Sequence, residues 1–236
     1  MSWNRHSGAA LAAMSFVVLG LAAPTAGQRA PDSGVWTAVS LRGQLGGDPV
    51  WRWTAGAIAQ STDGVRRFDL GFGHVMLTRE LGRGVEIGFG YAAGAGLRNS
   101  GVLLEHRLTQ TFGWSRGVRA RVSLKSLFEE RFITGRDNLL LRTRLQLRMT
   151  WPFAAGHRLQ VVASGEMLLQ TDSRAPASPH LDGTRFFAGV GWKLTPASAL
   201  EIGYLNARSR GGGKDPSTSH VLSASLAVSL SEGRRR

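Results

Sequence analysis

The chain has 236 residues, no cysteine, 42% hydrophobic residues and a formal net charge of +13. The missing cysteines exclude a disulfide framework and a thiolate metal site. No long apolar run follows the N-terminal segment, which excludes helical membrane spanning and leaves a closed β-sheet as the only way through a bilayer.

The N-terminal segment reads as a secretory signal. Arg5 is its single Lys or Arg, Ala9 to Ala23 is an apolar and small run, and Pro24-Thr25-Ala26-Gly27 is a small-residue zone before Gln28. Cleavage is expected after Ala26 or Gly27; an uncleaved anchor is the alternative. The expected division is residues 1–27 as signal peptide and 28–236 as one outer-membrane β-barrel domain. Loss of Arg5 would take the net charge from +13 to +12. Export argues against nucleic acid as a partner. It favours outer-membrane lipid, lipopolysaccharide phosphates or anionic small solutes.

From residue 35 the chain alternates with period two, and each apolar face belongs to a strand. The expected strands begin with 35–41, which carries Trp36, and 50–59, where Trp51, Trp53, Ala55 and Ala57 oppose Arg52, Thr54 and Gly56. In 67–77, Phe68, Leu70 and Phe72 oppose Asp69, Gly71 and Gly73; in 85–91, Val85, Ile87, Phe89 and Tyr91 oppose Glu86, Gly88 and Gly90. Residues 94–101 read as a loop, followed by strands 102–112 and 118–132. The clearest stretch is Leu140 to Pro152. Leu141, Thr143, Leu145, Leu147, Met149 and Trp151 share one face, and Arg142, Arg144, Gln146, Arg148 and Thr150 share the other.

Strand 158–170 comes next, then a long polar loop at 171–183 with Pro176 and Pro179. Strands 184–194, 199–207 and 220–230 follow, separated by a tight turn at 195–198 and a Gly-rich loop at 208–219. In the second half connections alternate short (113–117, 195–198) and long (171–183, 208–219). Short periplasmic turns and longer outer loops then put the C-terminus in the periplasm.

This pattern fits an all-β, antiparallel up-and-down transmembrane barrel of about 10–12 strands. A soluble sandwich also alternates. Three features favour the barrel: strands near the tilted length that crosses a bilayer, aromatics toward strand ends (Trp51, Phe112, Phe132, Trp151, Trp192), and a second face too charged to be a buried layer. The strands number eleven, whereas single-chain bacterial barrels are even-numbered. One strand is therefore expected to be split or missed, or the first segment to be less than a full wall strand.

Leu104-Glu105-His106-Arg107-Leu108, Phe128-Glu129-Glu130-Arg131-Phe132 and Leu140-Leu141-Arg142-Thr143-Arg144-Leu145, with Trp36 ahead of them, give the chain a further signature. In their order these motifs resemble the bacterial family called domain of unknown function 2490. The resemblance covers nearly all of the chain after the signal. It implies a Gram-negative outer-membrane barrel and supplies no catalytic residues.

Parity puts Glu86, Glu105, Arg107, Arg119, Arg121, Lys125, Glu129, Arg131, Arg142, Arg144, Arg148, Glu166, Arg185, Lys193 and Glu201 on the lumen side. Glu105, Arg107, Arg121, Glu129, Arg131, Arg142, Arg144, Arg148 and Glu166 are the candidate charge network. On neighbouring strands they can pair as carboxylate and guanidinium.

Three functional readings follow. The network fills and rigidifies a narrow barrel, so that the protein is structural or interacts with lipopolysaccharide through its loops. Alternatively, its basic excess lines a narrow, porin-like, anion-favouring pore. A lipid hydrolase is the weakest reading. His106 points outward between Glu105 and Arg107, but there is no G-x-S-x-G elbow. No catalytic residue, metal site or cofactor is expected, because the histidines lack ligand spacing. Gly211-Gly212-Gly213-Lys214 lacks the helix that a phosphate loop needs.

Overall fold

A computed structural model describes residues 32–46, 48–62, 67–98, 101–153, 158–172, 175–210 and 216–230. The expected signal segment, residues 211–215 of the Gly-rich loop and the arginine tail lie outside the described residues. The rest forms eleven strands: β1 (Asp32–Leu45), β2 (Asp48–Thr62), β3 (Arg67–Gly82), β4 (Val85–Arg98), β5 (Gly101–Arg116), β6 (Arg121–Ile133), β7 (Leu140–Pro152), β8 (Leu159–Asp172), β9 (Ala175–Thr195), β10 (Ser198–Ser209) and β11 (Ser217–Ser229). Each pairs with its sequence neighbours, and β1 pairs with β11 to close the barrel.

The closing pair resolves the strand count. An odd number of strands joined by antiparallel hairpins returns the last strand parallel to the first. β1 and β11 run parallel from Asp32↔Ser219 to Arg42↔Ser229. The expectation of an even count is overturned, and the first segment is a full wall strand. Period-two alternation reports which residues face inward. It does not report the direction in which the first strand meets the last. Parallel ladders are slightly weaker per residue. Here the seam gains a side-chain bond, Arg42 Nε donating to Ser229 Oγ at 2.8 Å.

Because β1 and β11 are parallel, they begin at one rim, here the upper, and end at the other, the lower. The lower connections are residues 46–47, 83–84, 117–120, 153–158 and 196–197; the upper ones are 63–66, 99–100, 134–139, 173–174 and 210–216.

Three expected loops are strand instead. β4 continues through Gly94 and Gly96 to Arg98, with Gly94 paired to Phe72 and Glu105. β5 runs on to Arg116, so Arg119 sits in the connection and not on the lumen wall. Most of 171–183 is hairpin: β8 reaches Asp172 and β9 starts at Ala175, with register shifts at Leu168/Leu169 and Gln170/Asp172. The strand therefore holds Pro176 and Pro179 where the ladder is already irregular, a place where a missing N–H is tolerated. β10 ends at Ser209 opposite Gly183, so the β8–β9 hairpin projects past it at the upper rim.

The wall is sided as the alternation implies. Val75, Phe89, Leu147, Val190, Trp192 and Leu222 are at least half exposed on the outer face. The main departure is β3. Phe72 is only 8% exposed and lies on the lumen side, paired with Gly94 and Ile58. Leu70 shares that face, while Gly71, Gly73 and Val75 face out. Glycine explains the inversion. A Cβ on Gly94 would stand 2.5 Å from Phe72 Cδ1 and 2.4 Å from the Gly71 carbonyl oxygen, so the Phe72 ring lies where β4 has no side chain. Ile133, Leu140, Val162, Leu168, Leu205 and Val221 are also buried, and they share the lumen face with the charges. The lumen is thus a mixed core and not a purely polar one.

Candidate functional site: a charged lumen network and a basic mouth

Three buried carboxylates organise the upper half of the lumen. Glu105 on β5 accepts from Arg107 Nε at 2.7 Å and from Arg131 Nε at 2.5 Å. Glu129 on β6 accepts from Arg142 Nε at 2.6 Å and Arg144 Nη1 at 3.2 Å, with Arg107 Nη1 at 4.0 Å. Glu166 on β8 takes Arg144 Nε at 2.8 Å on one oxygen and Arg185 Nη1 at 3.0 Å on the other. Arg107 and Arg144 each bridge two carboxylates, so the pairs form one connected set. Glu105, Glu129 and Arg142 are no more than 6% exposed. Buried charges persist only when paired and hydrogen-bonded, and this arrangement supplies both conditions.

Strand register brings the set together. Glu129 lies opposite Arg142, Arg107 opposite Arg131, and Glu166 opposite both Gln146 and Arg185. Other contacts skip strands. Arg131 Nη1 on β6 donates to Gln170 Oε1 on β8 at 2.8 Å. Arg107 on β5 stacks over the Phe72 ring on β3, 3.9 Å from its centroid. Arg185 on β9 lies 5.0 Å from the Trp36 ring centroid on β1. Arg148 on β7 pairs with Glu201 on β10. A side chain lying along the wall reaches only the next strand. These side chains therefore extend into the lumen and tie non-neighbouring strands together.

Of the nine expected network residues, Glu105, Arg107, Glu129, Arg131, Arg142, Arg144 and Glu166 are joined in the set. Arg148 stands apart with Glu201. Arg121 does not neighbour Glu129 as expected. It starts β6 at the lower rim opposite Thr150, while Glu129 lies toward the other end. Sequence reasoning missed Gln170, Phe72 and Trp36. The glycine run on β4 was the available signal for Phe72, since a strand without side chains must face something that fills its space.

The lower rim differs in kind. A recess of ≈ 970 Å³ is lined by Arg52, Glu80, Glu86, Ser115 and Arg121 from the lumen side and by Arg83 and Arg116 at the turns. Glu80 is held by Arg52. Glu86 lies over Gly113, where an added Cβ would meet its Cγ at 2.7 Å, and it attracts Lys125. Arg83, at φ 52°, is the one non-glycine residue with positive φ among the described residues, between Gly82 and Gly84 at 91° and 79°. That turn accepts from β5, Ser115 N donating to the Gly84 carbonyl at 2.9 Å.

On the outer wall near the upper rim, Tyr91 OH and His106 Nδ1 are 2.5 Å apart, as are Tyr204 OH and His220 Nδ1. His106 faces outward and is exposed. Near the lower rim Arg79 stacks on Trp51, 5.5 Å from the ring centroid.

A closed meander with an apolar outer belt and a charged lumen defines an outer-membrane-type β-barrel. The chain belongs to the family described as protein of unknown function (DUF2490), which it matches over residues 33–218. It is 30% identical over 145 residues to an uncharacterized protein of Methylorubrum extorquens, MexAM1_META1p0181, covering 60% of this chain and 63% of that one. Among solved structures it is similar to OmpT of Vibrio cholerae, an outer membrane protein, in a loop L8 deletion form (TM-score 0.40, 11% identity, 68% of this chain and 54% of that one). The outer-membrane expressed OmpT gives a TM-score of 0.38 at 11% identity, over 67% of this chain and 55% of that one. The chain thus spans less than two thirds of each of these proteins. The barrel assignment rests on the strand pairing itself.

Proposed function

We propose that the protein is exported through its N-terminal signal into the bacterial outer membrane, where it is a closed barrel sealed across its upper half. The observation that carries this reading is the set of strand-skipping contacts in that half: Arg107 on Phe72, Arg131 on Gln170 and Arg185 on Trp36. The exposed apolar belt supports lipid as the surrounding medium, since a soluble monomer rarely carries so much outward Phe, Leu and Val. The projecting β8–β9 hairpin supports an outward upper rim and a periplasmic lower rim. The partners on this reading are outer-membrane lipid and lipopolysaccharide at the outer wall. Heat-modifiable gel mobility of the membrane fraction checks the barrel. Planar-bilayer recording of the purified protein checks the seal, and the expected result is no steady conductance.

A second reading has its own observation. Arg107, Arg131, Arg142, Arg144 and Arg185 outnumber Glu105, Glu129 and Glu166 in the network, five to three. That excess favours anions if the side chains part to leave a narrow pore. Steady, anion-selective conductance in the same recording would establish this reading and displace the sealed barrel.

A further inference from the structure

We propose that the recess at the lower rim is a binding site for a phosphate-class anion, a phosphate or pyrophosphate group presented to the mouth of the barrel. The proposal goes beyond the sealed-barrel reading and does not depend on it. The recess is formed by residues of the rim, and it holds a solute there whether or not the lumen conducts.

Four observations carry it. Arg52, Arg83, Arg116 and Arg121 all line one recess. The planar guanidinium fork suits the paired oxygens of a phosphate. Both lining carboxylates have other engagements: Glu80 is held by Arg52, and Glu86 lies along the wall over Gly113 beside Lys125. Arg83, Arg116 and Arg121 are thus the basic groups left to the recess. The volume of ≈ 970 Å³ is at the upper end of small-molecule pockets.

The fourth observation is the conformation of Arg83. A two-residue hairpin turn with positive φ at both positions is ordinarily filled by Asn-Gly or Gly-Gly. Here an arginine occupies the first, at φ 52°, with glycine at the second, at φ 79°. A long side chain there carries a backbone cost that glycine would not, and such costs concentrate where a side chain is used. Arg83 and Gly84 form the turn, Ser115 N is bonded to the Gly84 carbonyl, and Arg116 follows directly. The turn therefore brings the backbone of Arg83 and that of Arg116 to the edge of the same recess.

The test is calorimetric titration of the full-length purified barrel in detergent with inorganic pyrophosphate. Saturable binding is expected, weakening as salt rises. Arg83→Gly, Arg116→Gln and Arg121→Gln should each weaken it by about five- to tenfold, because each removes one charge-assisted contact at a partly solvated site. Arg158→Gln, at another turn of the same rim, should leave it unchanged. Arg83→Gly keeps the test falsifiable, since glycine accepts that backbone and the variant folds. Two nanodisc arms separate the sources of the phosphate. Pyrophosphate binding in phosphatidylcholine discs assigns a soluble solute. Preferential, Arg83-dependent retention of phosphatidylglycerol with no pyrophosphate binding assigns a lipid headgroup. Overturning results are no binding in either arm, or binding equal in wild type and all three recess variants. Bilayer conductance is read separately, so failure of the sealed-barrel reading and failure of this site are distinguishable.

Discussion

The two halves of the lumen use the same residue types to opposite ends. In the upper half, arginine is buried and shared between carboxylates: Arg142 and Glu129 have side chains only 7% and 4% exposed. In the lower half, Arg52 and Glu80 pair with side chains 46% and 41% exposed, and Arg83, Arg116 and Arg121 border open space. Burial decides what each guanidinium does. Above, each ion is removed from water and depends on its partner. Below, solvent screens the charges and a diffusing anion can replace water at little cost. Composition treats the two sets alike; position along the strand and at the turns separates them.

The largest expected effect comes from removing a shared carboxylate above. Glu129→Ala leaves Arg142 and Arg144 without their common partner and takes the nearby Arg107 charge's neighbour away. Deleting one member of a buried pair typically costs about 3–5 kcal/mol. Thermal unfolding followed by heat-modifiable mobility should show a large loss of stability. A variant with the wild-type transition would mean that water already reaches the network, contradicting the seal. Glu80→Ala below should fall within about 1 kcal/mol of wild type, because that pair is exposed and screened.

Next is Phe72→Ala. The ring is buried in the lumen under Arg107 and against Gly94. Its loss should cost about 3 kcal/mol, as buried Phe truncations do. It also removes a strand-skipping contact, so open-channel events should appear in bilayer recordings where wild type gives none. Arg148→Gln ranks lower. The Arg148–Glu201 pair is half-screened, with side chains 28% and 21% exposed, and about 1–2 kcal/mol is expected after allowing for solvent.

The ranking also shows which parts of the molecule could be read in the sequence. The wall was legible because alternation in β7 and β11 carries through whole strands, and the bilayer-length repeats left little room for another class. Glu105, Glu129 and Glu166 were legible as inward charges for the same reason. The parallel seam was not, because β1 and β11 meet across the whole length of the chain and nothing local encodes the direction of that meeting. Phe72 was not, because an aromatic in an alternating strand looks lipid-facing until the glycines on β4 are placed opposite it. The separation of Arg121 from Glu129 required the register of β6 against β7. Parity gives a side of the sheet and says nothing of height within the barrel.

The smallest effect sharpens the comparison most, because its sign reverses. Removing an arginine from the upper network, as in Arg142→Gln, strands Glu129 in a buried site and should destabilise the barrel. Removing Arg83 from the lower rim should do the reverse. At φ 52° a non-glycine residue sits in the left-handed region, and glycine relieves that cost while giving back some of it as unfolded-state freedom. The net gain expected for Arg83→Gly is about 0.5 kcal/mol, visible as an unfolding transition at or slightly above that of wild type. A clear loss of stability would mean that the Arg83 side chain supports the β3–β4 turn and the neighbouring end of β5. The recess would then be a structural junction. An unchanged or raised transition leaves Arg83 as a residue whose presence the fold does not require, at a position where the backbone favours glycine, beside a space lined with positive charge.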